Sequence, residues 1–329
     1  MRRAGLLIAA LCALAVPAAP ADAVVGGQPA PPGSFGYVAN VRVGGEFGCS
    51  GTLISRQWVL TAGHCGSTTG SLSQGLIPSP IAWPPPAYRV LLGSVYADGR
   101  GAEQHSVTQV IVDTDYLPTN GTGNDVTLLR LDSPSRMTPM KIAATAERSI
   151  WLPGTLATIA GFGTTSENDA APPPQMRFAK VPITTDAYCA HAYPHGLSEV
   201  ADDGAFDAST MLCAGYPQGG TDTCEGDSGG PLLAPLATGE LRLVGATSFG
   251  DGCAQAGKPG VYARLAEGPI RAFIARFVPD AFATPSTSAP QAPAQSHRAR
   301  KRHRRHRRRR RHTNRYVARD DVVRRAPGA

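Results

Sequence analysis

Apolar positions in this chain come in short alternating runs, not in long stripes. Runs at 37–43, 52–54, 58–61, 88–92, 107–112, 126–131, 156–160, 232–233 and 241–247 are separated by segments rich in Gly, Pro, Asn, Asp and Ser. A period of two over so few residues predicts half-buried strands. Their number and spacing predict an antiparallel barrel or sandwich. One stretch near the end differs. Ile270, Phe273, Ile274 and Phe277 recur at helical spacing, with Pro269 suited to the first turn and Pro279 placed to end the helix. Residues 67–87 and 164–174 are rich in Gly, Ser and Pro and predict surface loops.

Composition narrows the fold class. Of 329 residues, 42% are apolar and only 17% charged, with 37 Gly and 29 Pro. Coiled coils and helical bundles carry more charge and fewer breakers, so an all-β domain is expected. No apolar run reaches the roughly 18 residues of a membrane span. The net charge of +7 is unevenly spread. Fifteen of the 32 basic residues lie at Arg298 or beyond, opposed there by Asp320 and Asp321 alone. A tail of +13 thus follows a mildly acidic body. Between them, 281–297 is Ala, Pro, Ser and Gln without a core pattern, which predicts a linker.

The first 23 residues read as an export signal. Met1-Arg2-Arg3 is a positive start, 5–16 is apolar, and Ala21-Asp22-Ala23 fits a small-x-small cleavage site. Cleavage falls after Ala23, or earlier after Ala19 with later removal of the intervening residues. Cys12 lies inside this segment. The six cysteines left, Cys49, Cys65, Cys189, Cys213, Cys224 and Cys253, form an even set, which in an exported chain predicts disulfides. No Cys-x-x-Cys pair is present, and no metal or cofactor is expected.

Gly226-Asp227-Ser228-Gly229-Gly230 carries the strongest chemical signal. A serine hydroxyl attacks only when a base takes its proton. Glycines around it permit a tight turn and leave backbone N–H groups free to meet a developing oxyanion. Two other segments supply the remaining groups. Leu60-Thr61-Ala62-Gly63-His64-Cys65 sets a histidine after an apolar run, and Asn124-Asp125-Val126 sets an acid at the head of another. The order His, Asp, Ser is that of chymotrypsin, a worked case of nucleophilic catalysis.

With these segments the chain resembles the chymotrypsin/trypsin family of secreted serine endopeptidases over about residues 24–277. Val24-Val25-Gly26-Gly27, Cys213-Ala214-Gly215, Asp222-Thr223-Cys224-Glu225 and Lys258-Pro259-Gly260-Val261-Tyr262 extend the resemblance. It implies two packed antiparallel six-stranded β-barrels with a C-terminal helix, spanning 24–280. It implies the pairs Cys49–Cys65, Cys189–Cys213 and Cys224–Cys253. It implies Ser228 as nucleophile, His64 as general base, Asp125 as its orienting acid, and the N–H groups of Gly226 and Ser228 as an oxyanion hole. Asp222 falls at the floor of the primary specificity pocket, with Thr223, Ser248, Gly250 and Gly260 around it, which implies cleavage after Arg or Lys. A new N-terminus at Val24 is expected to pair with Asp227. A binding protein on an inactive fold of this kind would be expected to have lost one of the three catalytic positions.

Some positions depart from the family. Phe249 stands where a Trp is usual. Within 93–103 only one of the two usual calcium-binding carboxylate positions is acidic, so a calcium requirement is not expected. Ala23 precedes Val24 where trypsin-like zymogens carry Arg or Lys. The loop between Cys189 and Cys213 carries Glu199, Asp202, Asp203 and Asp207 and reads as a solvated acidic face. Asn120-Gly121-Thr122 is a glycosylation sequon given no weight. The Arg-rich tail, 298–329, cannot form a core and is expected to be disordered. Its expected partner is a polyanion, without base-specific reading of nucleic acid. The enzyme is expected to be a secreted monomer acting on proteins or peptides, with the tail able to hold it at the cell envelope.

Overall fold

The computed structural model describes residues 24–68, 81–116, 123–195 and 205–284. The expected signal segment, the sequon, the acids at 199, 202 and 203, and the basic tail lie outside the described residues.

The first half forms β1 (Gln28–Pro29), β2 (Val38–Val43), β3 (Glu46–Ser55), β4 (Trp58–Thr61), β5 (Ser67–Thr68), β6 (Ile81–Ala82), β7 (Tyr88–Leu92), β8 (Glu103–Val112) and β9 (Thr127–Leu131). Six of these close an antiparallel barrel in the order β2-β3-β4-β9-β8-β7. Alternation fixes which face points in. In β7, Tyr88, Val90 and Leu92 are fully buried while Arg89 is exposed. They pack with Val41, Leu53, Val59 and Leu129. Each such side chain contributes about 1.5–3 kcal/mol by leaving water.

The second half forms β10 (Leu156–Gly161), β11 (Arg177–Pro182), β12 (Met211–Ala214), β13 (Pro231–Pro235), β14 (Leu241–Phe249) and β15 (Gly260–Arg264). Their order is β1-β11-β10-β13-β14-β15-β12. The sheet curls until an antiparallel bridge joins Ile183, just past β11, to Ala214 at the end of β12. Backbone bonds from Gly215 to Pro182 and from Thr184 to Cys213, each 2.9 Å, complete that seam. The second barrel therefore has the six expected strands, with β1 added to its β11 side. Ile159, Val181, Leu212, Leu232, Val244 and Tyr262 fill it, together with Val24.

Among the described residues there are three short α-helices: α1 (Gly63–Gly66), α2 (Asp186–Ala192) and α3 (Gly268–Phe277) after the last strand. The last is the helix expected from periodicity. Its Ile270 and Ile274 are buried against Ile54, Leu60 and Leu128 of the first barrel and Leu233 and Leu243 of the second. The helix thus seals the line where the barrels meet. The body also runs past the expected boundary at 280. Ala281 is buried, its carbonyl accepts from Ile142 at 2.9 Å, and Ala283 donates to the Ile142 carbonyl at 2.8 Å. Three disulfides, Cys49–Cys65, Cys189–Cys213 and Cys224–Cys253, match the implied pairs.

Candidate active site

His64 lies in the single turn α1, directly after β4. Its neighbour Cys65 is tied to Cys49 in β3. Asp125 lies just before β9, which pairs with β4, so strand pairing brings the two together. The His64 amide donates to Asp125 Oδ1 at 2.9 Å, and His64 Nδ1 faces Asp125 Oδ2 at 3.0 Å. Asp125 is 2% exposed. Burial disfavours its carboxylate, but the imidazole and hydrogen bonds from His64 and Ser248 outweigh burial and hold the group below the ordinary carboxylate value. Burial also disfavours the His64 imidazolium. The Asp125 charge and hydrogen bond, with Glu225 adding to them, raise His64 above its ordinary value all the same.

The second barrel supplies Ser228. Its carbonyl accepts from the Ser50 amide of β3 at 2.9 Å. Gly229 locks the loop against the first barrel. Its φ is +78°, and a Cβ there would lie 2.3 Å from Thr61 Oγ1, immediately before the His64 turn. The carbonyls of Asp227 and Thr247 accept from Gly230 and Gly229, both at 2.7 Å. The N–H groups of Gly226 and Ser228 are spent on no acceptor among the described residues. Two such donors suit a developing oxyanion.

A cleft opens beside Ser228, lined by Asp222, Thr223, Thr247, Ser248, Phe249 and Gly250, among others. Asp222 is 2% exposed. It accepts from the amides of Thr223 at 2.8 Å and Ala254 at 3.3 Å. Burial pushes its carboxyl up to about 7, against these bonds. A Cβ on Gly260 would sit 2.5 Å from Asp222 Oδ1, so the glycine keeps that carboxyl clear. The Cys224–Cys253 bridge ties two lining segments together. Cys49, His64 and Cys65 have potential ligand atoms close together, but the two sulfurs are joined to each other. Glu103, at the remaining acidic calcium position, is taken by protein groups: it accepts from Ser135 Oγ and Arg136 Nε, both at 2.7 Å.

The sequence model of the family described as Trypsin matches residues 24–273. The chain belongs to the trypsin family. It is a serine endopeptidase. The chain is 36% identical over 243 residues to a trypsin of Saccharopolyspora erythraea, covering 74% of this chain and 93% of that protein. It is 34% identical over 246 residues to a trypsin-like protease of Streptomyces glaucescens, covering 74% and 80%. It is 31% identical over 245 residues to a trypsin of Sus scrofa, covering 74% and 91%. No helix among the described residues is long and apolar enough to cross a membrane.

The expected pairing of a new Val24 N-terminus with Asp227 is not available while Ala23 precedes Val24. Val24 is fully buried, but its carbonyl turns back to accept from Gly27 at 2.6 Å. Asp227, also fully buried, instead accepts from the amides of Gly163 at 2.8 Å and Cys224 at 2.9 Å. Burial, with Glu225 adding repulsion, pushes its carboxyl up to about 7. Ser248 does more than line the cleft: its hydroxyl donates to Asp125 Oδ2. Phe249 turns an edge to Tyr193, with ring centroids 5.4 Å apart. Neither contact was readable from motif spacing.

Proposed function

We propose that this trypsin-family enzyme is exported and cleaves peptide bonds after Arg or Lys through an acyl-enzyme on Ser228. His64 takes the Ser228 Oγ proton as Oγ attacks the substrate carbonyl carbon. The carbonyl oxygen becomes an oxyanion between the N–H groups of Gly226 and Ser228. His64 then returns the proton to the leaving amine, and the C–N bond breaks. Water repeats the cycle on the ester and frees the acid. Asp125 fixes the imidazole tautomer and stabilises its cation.

The observation that carries the specificity is the state of Asp222. Its carboxyl is buried at the edge of the Ser228 cleft and meets no cation among the described residues. A guanidinium or ammonium from substrate supplies the missing charge through charge-assisted hydrogen bonds. Thr223 adds a hydroxyl beside it, and Gly250 and Gly260 leave room for a long side chain. The deciding experiment is cleavage of a randomised peptide library. Cuts confined to the carboxyl side of Arg and Lys are expected; equal cutting after Phe or Leu would overturn the assignment.

Maturation follows from Asp227. Removal of residues up to Ala23 gives Val24 an ammonium, the counter-charge the buried Asp227 lacks. Export is supported by the leader pattern and by three disulfides, which suit an oxidising compartment. One chain supplies every group named, so a monomer suffices. The tail from Arg298 tethers the enzyme to a polyanion, and that binding weakens with salt through counterion release.

A further inference from the structure

We infer that Ser50 is a positioning residue for the oxyanion hole, acting through its hydroxyl on the Gly226 carbonyl. The inference rests on the reading that the N–H groups of Gly226 and Ser228 receive the oxyanion.

Ser50 lies in β3 of the first barrel and is fully buried. Its hydroxyl donates to the Gly226 carbonyl at 3.0 Å and accepts from the Phe162 amide at 3.1 Å. Its own amide donates to the Ser228 carbonyl at 2.9 Å. Its carbonyl accepts from Thr61 Oγ1 of β4 at 2.7 Å, which ties the residue to the neighbouring strand. One residue therefore grips the carbonyls of both residues whose N–H groups are free.

Gly226 is where such a grip matters. Its φ is +92°, and with no Cβ it has no steric restraint of its own. The next amide, that of Asp227, is committed to the Cys224 carbonyl, and the Asp227 carboxyl to Gly163 and Cys224. Those bonds fix the loop after Gly226. The Ser50 hydroxyl restrains the carbonyl of Gly226 itself and thereby the ψ that couples its N–H to the fixed part. Through Phe162 the same hydroxyl reaches the second barrel, one residue from Gly163, which holds Asp227. The hydroxyl spends its one proton and one of its two lone pairs here. Deleting it leaves the buried Phe162 amide and the Gly226 carbonyl without that partner.

The pocket does not share this dependence. Asp222 is held by the amides of Thr223 and Ala254, with no bond to Ser50. The test compares two inhibitors on wild type and Ser50→Ala. Benzamidine, an amidinium cation, fills the Asp222 pocket and needs no oxyanion. A peptide argininal adds Ser228 Oγ to its aldehyde carbon; the carbonyl electron pair becomes the oxyanion and the Oγ proton passes to His64. In Ser50→Ala, argininal affinity and kcat are expected to fall about tenfold, a fraction of the 10²–10³ for losing a whole oxyanion donor. Benzamidine affinity and KM should stay within about twofold. Ser50→Thr keeps the hydroxyl and should retain the wild-type ratio of the two affinities. Ser50→Gly replaces the alanine variant if that does not fold. Equal weakening of both inhibitors, or no weakening of either, overturns the inference. A wild-type enzyme that binds argininal no better than benzamidine overturns instead the oxyanion-hole reading beneath it.

Discussion

The hydroxyl of Ser248 donates to Oδ2 of Asp125, the same carboxyl oxygen that His64 Nδ1 faces at 3.0 Å. With the His64 amide on Oδ1, that carboxylate is held from both barrels at once, since Ser248 belongs to β14. Ser248→Ala removes one donor from a buried anion, a loss of about 1.5–3 kcal/mol for a charged acceptor. The expected outcome is a drop of about tenfold or more in kcat with little change in KM. An unchanged kcat would show the bond to be incidental.

His64 must be neutral to accept the Ser228 proton. Its pKa lies above the ordinary 6.5 because Asp125, with Glu225, outweighs burial. Activity is therefore lost as pH falls through an inflection above 6.5. Glu225→Gln removes one source of the upward shift and should move the inflection of kcat/KM to lower pH. A shift the other way would contradict the attribution to Glu225.

Asp222→Asn should separate activity from stability. Two charge-assisted bonds to the substrate cation are lost, worth roughly 10²–10⁴ in kcat/KM for Arg substrates. The fold loses a buried carboxyl whose ionisation it disfavours, so Tm at about pH 8 should rise. Calorimetry beside kinetics checks both. A lower Tm would mean the carboxylate is needed to hold the pocket.

The inactive Ser228→Ala precursor should lose stability as pH rises from about 4 to 7. Asp222 and Asp227 are raised from 3.8 to about 7 in the fold. In that window the folded chain keeps protons that the unfolded chain has released, so stability falls with rising pH. His64 acts in the same direction: its raised pKa adds stability at low pH that is lost as pH rises through the folded value. The lowered pKa of Asp125 acts only below 3.8. Asp227→Asn should flatten the slope in the precursor. In a chain that begins at Val24, Asp227 gains an ammonium partner and the slope should flatten without mutation. A Tm that climbs from pH 4 to 7 would contradict the Asp227 account.

With 11 Arg or Lys between residues 298 and 312, the tail is an expected substrate under the proposed specificity. Intact mass should show the tail kept in Ser228→Ala and trimmed in wild type. Equal retention in both, with no polyanion added, would rule out self-trimming.

Much of the fold was legible because the runs that form it alternate cleanly. Strand β7 shows it, with Tyr88, Val90 and Leu92 inside and Arg89 outside. Strand β11 was not legible. Its inward positions are Arg177, Ala179 and Val181, and a buried arginine and an alanine do not mark an apolar face. Strand β12 offers four buried residues and no alternation to read. His64, Asp125 and Ser228 stood out because their flanking residues are as restricted as they are. The roles of Ser50 and Ser248 depend on partners 176 and 123 residues away, which only closure of both barrels brings near.

Ile142 lies between the barrels, bridged in parallel to Leu243 on one side and Phe282 on the other. Synthesis runs from the N-terminus, so one of those two neighbours is nearly the last of the described residues to be made. Until Phe282 and Ala283 have emerged, the segment that joins the two barrels keeps an open edge at Ile142. Ser228 and His64 sit in different halves. A chain that stops short of Phe282 thus lacks one of the ties between the barrels that carry His64 and Ser228. The same feature sets a limit on trimming: cuts beyond residue 284 spare the Ile142 pairings, whereas a cut before Phe282 reopens that edge.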